Sequence, residues 1–258
     1  MRQNEAVETI TNSLKNDRFV KAVFLKGSMG RGEEDEHSDV DLYVLVEEQD
    51  KQEFLQNRQR HLESYQSLIF YDDIYIIAPQ IIAVFENLLH VDLFTVTEEA
   101  LIHKDYMKVL YDPDHLMEKH KEFQNLSLSQ DDFLYAVDDV AFFFLQYKKA
   151  ADRGNDLWAV KVANDIGVNL AKVLLQIHCP ERAQLGLKTV DRSLPEEVAA
   201  SLKEAYAYLT IYEHKKGIRV MAELVQFHLN WLEDEWGDND YTIPFLKRML
   251  GEIKTWNT

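Results

Sequence analysis

The residues of this 258-residue chain that can do chemistry are gathered near its start. They are Gly27-Ser28-Met29-Gly30-Arg31-Gly32, the acidic run Glu33 to Glu36, Asp39-Val40-Asp41 and, further on, Asp92. Asp39 and Asp41 are two apart, and side chains alternate faces along an extended segment, so both carboxylates leave from one face. Two like charges held that close repel, and a shared divalent cation offsets the cost. Mg2+ is the hard, oxygen-seeking ion that also carries nucleotide phosphates. Just upstream, Gly27-Ser28 offers backbone N–H groups and a hydroxyl in a tight turn, a combination able to approach a phosphate. Asp92 stands inside the apolar run Leu88 to Val96, where a bare carboxylate is expensive to bury. It should face something positive, and it becomes the third acid of the site if its strand lies beside the one bearing Asp39 and Asp41.

These residues need elements to hold them. Val7, Ile10 and Leu14 recur at helical spacing and predict an amphipathic helix. Val20 to Leu25 predicts a strand, and Gly27 to Ser38, which has no hydrophobic period, predicts a loop. Val40, Leu42, Val44 and Val46 alternate with Asp41, Tyr43 and Leu45, which predicts a second strand with Asp39 and Asp41 at its start. The polar segment Glu48 to Ser64 predicts a helix. Ile81 to Phe85 and Leu88 to Val96 predict a hairpin turned at Glu86-Asn87, and Val109 to Tyr111, ended by Asp112-Pro113, an edge strand. Beyond about residue 126 the period changes from two to 3.6. Phe133, Val137, Val140 and Phe144 mark one core helix, and Ile166, Leu170, Val173, Leu174 and Ile177 a second. After a polar connection from Pro180 to Pro195, another helix begins at Leu194-Pro195-Glu196, and a last stripe runs from Ile218 to Leu232. The chain therefore reads as α+β: a mixed β-sheet with helices over residues 1–126, then a helical bundle over 127–258, with an acceptor cleft expected between them.

Charge and composition narrow the function. Lys plus Arg number 28 and Asp plus Glu 45, and the net charge of −17 opposes any nucleic-acid partner gripped through its phosphates. Hydrophobic residues at 46% and charged residues at 28% make an ordinary globular composition, which excludes intrinsic disorder. No apolar run approaches the ~20 residues that span a bilayer, and Met1 to Glu5 is too polar for a signal peptide. The expectation is a cytoplasmic protein with no membrane partner. The single cysteine, Cys179, can build neither an internal disulfide nor a thiolate zinc site. The nine histidines contain no His-x-x-x-His pair, and there is no Gly-x-Ser-x-Gly elbow or Walker lysine motif, so zinc-hydrolase, serine-hydrolase and P-loop readings have no support. Lys26 and Arg31 flank the glycine-serine turn and can reach a phosphate, although long cations beside a loop are usually solvated. Asp131 and Asp138 share a helix face that reads as exposed, and Lys161, Asp165, Asn169 and Lys172 have the spacing of intrahelical pairs.

Taken together, Gly27-Ser28, ten intervening positions, Asp39-Val40-Asp41 and the later Asp92 resemble the nucleotidyltransferase superfamily related to DNA polymerase β. The helical second half and total length resemble its antibiotic branch, the aminoglycoside and lincosamide nucleotidyltransferases. The resemblance implies that Asp39 and Asp41 hold two Mg2+ ions that bridge the triphosphate of ATP or another nucleoside triphosphate. It places Gly27 and Ser28 at the phosphates, with Arg31 beside them, and has Asp92 bind one metal, deprotonate the acceptor hydroxyl, or both. Such metals stabilise the attacking and leaving oxygens of an in-line displacement at the α-phosphate. The acceptor it implies is a hydroxyl of a small molecule, with the helical half serving acceptor binding or a homodimer contact; the net charge of −17, Glu33 to Glu36 and the Asp131/Asp138 face favour a cationic acceptor, an aminoglycoside ahead of a lincosamide. The alternative is a protein-modifying, AMP-transferring or antitoxin-like enzyme whose acceptor is a tyrosine or serine of a partner. A catalytically silent module fits poorly with three acids in place.

Overall fold

Helix α1 (Arg2–Leu14) opens the chain and buries Ala6, Val7, Ile10 and Leu14, the face that its spacing marks out. In this computed structural model, residues 1–101, 105–236 and 241–255 are described, and they fall into two units, Met1–Asn125 and Leu126–Thr258. In the first unit α1 leads to β1 (Val20–Leu25), the short α2 (Gly27–Arg31) and β2 (Val40–Val46). Helices α3 (Lys51–Asn57) and α4 (Gln59–Glu63) follow, then β3 (Leu68–Tyr75), β4 (Pro79–Phe85), β5 (His90–Val96) and β6 (Lys108–Tyr111). The six strands form one mixed sheet in the order β3-β4-β5-β2-β1-β6. Only β2 and β5 run parallel; the other neighbours are antiparallel.

Alternation along the central strands builds two apolar layers. Val40, Leu42, Val44, Val91 and Leu93 pack with α1, Phe54 and Leu62 on one face. Phe24, Tyr43, Leu45, Phe94 and Val96 pack with Leu101 and Met117 on the other. Full burial of one such Val, Leu, Ile or Phe side chain is worth roughly 1.5–3 kcal/mol, so this alternation fixes the register of the sheet. Arg58, between α3 and α4, is almost fully buried: it donates to Thr95 Oγ1 of β5 at 3.1 Å and pairs with Asp73 of β3. Asp17 joins α1 to α4 through Arg60 at 2.7 Å and His61 at 3.1 Å. Burial would raise the pKa of Asp17, but the Phe19 N–H, Arg60 and His61 outweigh it and hold the carboxyl below its usual value.

Every regular element described in the second unit is a helix. Helices α5 (Gln130–Asp152) and α6 (Asp156–His178) are joined by a short turn with Gly154 in the left-handed region, and Ser129 and Asn155 cap their starts. A 3-10 segment, Pro180–Thr189, and α7 (Val190–Ser193) lead to α8 (Glu196–Ala207), α9 (His214–Phe227), α10 (Leu229–Trp236) and α11 (Thr242–Thr255). The expected stripe from Ile218 to Leu232 is thus two helices that meet at His228. Helix α11 is not among the expected elements, although Ile243, Leu246, Met249, Leu250 and Ile253 carry a helical period and are buried. No helix among the described residues is long and apolar enough to cross a membrane.

Three further differences lie in the first unit. Strand β3 is not expected because, as a sheet edge, it is exposed on both faces and interrupted by Asp72-Asp73, so no half-buried alternation marks it. The stretch expected as a loop from Gly27 begins with the helical turn α2. The β4–β5 hairpin turns through three residues, 86–88, rather than at Glu86-Asn87: Phe85 N–H donates to Leu89 O at 3.0 Å, and Leu88 takes a left-handed φ of 57°. A leucine there bears a strain of roughly 1–2 kcal/mol and is exposed, so little packing is lost when it is removed. Leu88→Gly should raise the urea midpoint with unchanged slope, a gain of about 0.5–1 kcal/mol after the glycine's extra unfolded-state entropy is subtracted. An unchanged or lower midpoint would contradict the assigned turn.

Candidate active site

The parallel register of β2 and β5 pairs Val40 with Val91 and Asp41 with Asp92. Asp39, one residue ahead of β2, therefore lies beside His90, the first residue of β5. Asp41 and Asp92 share the sheet face that continues into Tyr43 and Phe94. β1 runs antiparallel to β2 and ends where β2 begins: Leu25 pairs with Leu42, and Lys26 N–H donates to Asp41 O at 3.0 Å. Gly27-Ser28 thus emerges at the edge where the acids start. Gly27 has φ +62°, and a Cβ on it would fall on the Asp41 carboxylate. A Cβ on Gly30 would stand 2.8 Å from the backbone oxygens of Leu25 and Tyr106, which lets α2 lie directly against the end of β1.

Asp92 is only 8% exposed, and the group it faces is His90, a residue outside the expected site. Asp92 Oδ1 accepts from Gln80 Nε2 at 2.8 Å and lies 3.1 Å from His90 Nε2. The other ring nitrogen, Nδ1, is 3.9 Å from Asp39 Oδ2. The hydrogen bond to Asp92 raises the pKa of His90 against the opposing effect of burial, with help from the charges of Asp92, Asp39 and Asp41. Asp39, His90 and Asp92 each offer a ligand atom, and these atoms lie within 4.8 Å of one another. Asp41 is outside that trio because its carboxylate is turned toward Gly27. His90 had a signal in the sequence, a position two before Asp92 on the same strand face; a survey for pairs of histidines overlooks it. The carboxylates of Asp39, Asp41 and Asp92 stand at one end of β2 and β5, and hard oxygen donors of this kind fit a divalent ion of the Mg2+ type.

Beneath the acids the rings of Phe24, Tyr43 and Phe94 stack across three strands, with centroids 5.2 and 4.3 Å apart. Lys26 and Arg31 are enclosed rather than solvated. Lys26 is 6% exposed, with Nζ 5.3 Å from the Tyr43 ring centroid, and burial lowers its pKa while Asp105 opposes the shift. Arg31 pairs with Glu33 at 2.9 Å and Asp105 at 2.7 Å, so its guanidinium fastens α2 to the following loop and to Asp105. The loop itself is pinned. The buried Gln3 amide donates to the carbonyl oxygens of Asp35, Glu36 and Ser38, and Asp35 accepts from His37 N–H at 2.9 Å.

The other candidate charges are engaged inside the second unit. Asp138 accepts from Thr242 Oγ1, whereas Asp131 is exposed on the same helix. Lys161 pairs with Asp165, whose carbonyl accepts from Asn169 Nδ2 at 3.2 Å, as intrahelical spacing implies. For the turn at Gly27, Gly27→Ala should cost at least the ~1–2 kcal/mol of a left-handed alanine, plus the displacement of Asp41. In a double-mutant cycle with Asp41→Ala the displacement disappears, because the nearest remaining Asp41 atom is Cβ at 3.6 Å, so the two changes should be non-additive in thermal or urea unfolding. Strict additivity would show that Gly27 and Asp41 do not touch.

Parts of the chain are similar to known proteins. Residues 8–87 match the family model of the polymerase beta nucleotidyltransferases, a span that ends before Asp92. No curated protein matches the chain. An aminoglycoside 6-adenyltransferase from Bacillus subtilis is similar over 99% of this chain and 100% of its own, with 16% identity and a TM-score of 0.39. A nucleotidyltransferase-like protein from Exiguobacterium sibiricum 255-15 covers 96% and 88%, with 14% identity and a TM-score of 0.39. A spectinomycin adenyltransferase from Enterococcus faecialis covers 98% of both chains, with 13% identity and a TM-score of 0.34. The family match spans the glycine-serine turn and the Asp-x-Asp pair, and residues 8–87 match the polymerase beta-type nucleotidyltransferase domain.

Proposed function

We propose that this chain transfers a nucleoside monophosphate, AMP from ATP in the first instance, to a hydroxyl of a small molecule. The observation that carries the reading is the in-register pairing of Asp41 with Asp92, with Asp39 and the Gly27-Ser28 turn at the same strand edge. Asp39, Asp41 and Asp92 are the residues that would hold divalent ions. Bound Mg2+ would supply charge neutralisation of the triphosphate and of the developing oxyanions. The glycine backbone and the Ser28 hydroxyl would receive the phosphates in the turn. Asp92 has Oδ1 engaged by Gln80 and His90, so Oδ2 is the oxygen proposed to take the acceptor proton. The bond from the acceptor oxygen to the α-phosphorus would form as the bond to pyrophosphate breaks. Arg31, bound to Glu33 and Asp105, would position the turn rather than grip the nucleotide. The net charge of −17 favours an aminoglycoside ahead of a lincosamide as the acceptor, and the helical unit would provide acceptor binding or a dimer contact.

Incubation with Mg2+, each labelled nucleoside triphosphate and a panel of aminoglycosides and lincosamides should give a nucleotidyl adduct detectable by mass. Asp39→Asn and Asp41→Asn should each abolish its formation with the fold intact, whereas Asp92→Asn should slow single-turnover transfer by about 10²–10⁴-fold, the range for a positioned general base, with little change in nucleotide affinity. Near wild-type turnover in either of the first two variants would sink the metal assignment.

Ionic strength tests the acceptor. The net charge of −17 and the acidic Glu34 and Glu36 beside the turn would attract a polycation, and that attraction weakens as the Debye length shortens from ~10 Å at 0.1 M to ~3 Å at 1 M salt. KM for an aminoglycoside should rise steeply across this range. A flat KM would remove charge as the basis of acceptor choice while leaving nucleotidyl transfer untouched.

A further inference from the structure

Asp39 just ahead of β2, Asp41 on β2 and Asp92 on β5 would make an all-oxygen site, but this chain sets a nitrogen donor among them. Alternation puts His90 and Asp92 on one face of β5, and the parallel register sets Asp39 beside His90. The imidazole spans the two carboxylates, with Nε2 3.1 Å from Asp92 and Nδ1 3.9 Å from Asp39. The ligand atoms of the three residues lie within 4.8 Å of one another, close to the ~4.2 Å that separates opposite ligands of one ion with bonds of ~2.1 Å. Gln80, itself 6% exposed, fixes Asp92 by its hydrogen bond to Oδ1, the outer support that a metal-binding carboxylate needs. Asp41 turns instead toward Gly27, so the trio shares only Asp39 with the Asp-x-Asp pair.

We propose that Asp39, His90 and Asp92 together bind one divalent ion, and that this mixed nitrogen and oxygen set takes Mn2+ ahead of Mg2+. The inference rests on the reading of this edge as a metal-dependent transfer site and adds which residues hold one of the ions and which ion they prefer. The chemical reason is the donor. Mg2+ is hard and holds its water and oxygen ligands tightly, whereas imidazole nitrogen binds transition ions more readily; Mn2+ accepts both kinds of ligand.

Electron spin echo spectroscopy of Mn2+ added to the full chain, with no nucleotide or acceptor present, tests this directly. The expected result is modulation from a directly bound imidazole nitrogen in the wild type, absent in His90→Asn. In Mn2+ titrations followed by the free-ion EPR signal, His90→Asn should weaken Mn2+ by at least about tenfold, a loss seen even for outer partners of metal ligands. Competition by Mg2+ should weaken far less. Mn2+ bound without nitrogen modulation, modulation that persists in His90→Asn, equal weakening of both ions, or no Mn2+ binding would each overturn the proposal. The half-buried His90 side chain should tolerate asparagine; if the variant does not fold, the wild-type echo alone decides. Because transfer is not measured, failure here leaves the nucleotidyl-transfer reading to its own adduct assay.

Discussion

The first unit depends on one ladder, the parallel pairing of β2 with β5. Neighbouring strands lie about 4.8 Å apart, so a register that sets Asp41 against Asp92 holds two carboxylates at a spacing that water would never favour. A parallel neighbour cannot be reached by a tight turn, and the chain between the two strands makes the crossover with α3, α4, β3 and β4. Arg58 secures that excursion, bound at one end to Thr95 on β5 and at the other to Asp73 on the edge strand. Apolar burial along Leu42, Val44, Val91 and Leu93 holds the register that the acids alone would oppose.

Around that ladder the polar groups are arranged to tolerate concentrated negative charge. His90 and Gln80 share Asp92, the Asp41 carboxylate rests against Gly27, and Lys26 lies near Asp105 and over Tyr43. The stacked rings of Phe24, Tyr43 and Phe94 form an apolar floor, and burial raises the Tyr43 phenol pKa, reinforced by Asp41, Asp105 and Asp92. A floor of this kind lowers the local dielectric and lengthens the reach of each charge placed above it. Gln3 holds the acidic loop in one conformation, so the glycine-serine turn is positioned before any ligand arrives.

The helical unit has polar networks of its own, with structural roles. Tyr147 Oη lies 2.6 Å from His214 Nδ1, and His214 Nε2 lies 3.2 Å from Asp156, which links α5, α6 and α9. His178 and His228 meet at 2.9 Å and join the end of α6 to the break between α9 and α10. Buried groups paired in this way specify one packing of helices whose apolar stripes alone would allow several.

The sequence by itself determined the elements that carry the acids and the identity of those acids. The bounds Val20–Leu25 and Val40–Val46 follow from runs of apolar residues, and Asp39, Asp41 and Asp92 stand out because charge in or beside such runs is costly. Strand β3 stayed hidden since an edge exposed on both faces leaves no alternation to read, and the turn at Leu88 since a left-handed leucine violates the usual preference for glycine. Helix α11 carries a helical period from Ile243 to Ile253 yet stands outside the expected elements. Tertiary structure alone decided what the acids touch. Lys26 and Arg31 look like solvated cations in a linear string, and only packing against Tyr43, Glu33 and Asp105 encloses them. His90 is an unremarkable histidine until the parallel ladder sets it between Asp39 and Asp92, because register across a crossover is a long-range property that no local spacing encodes.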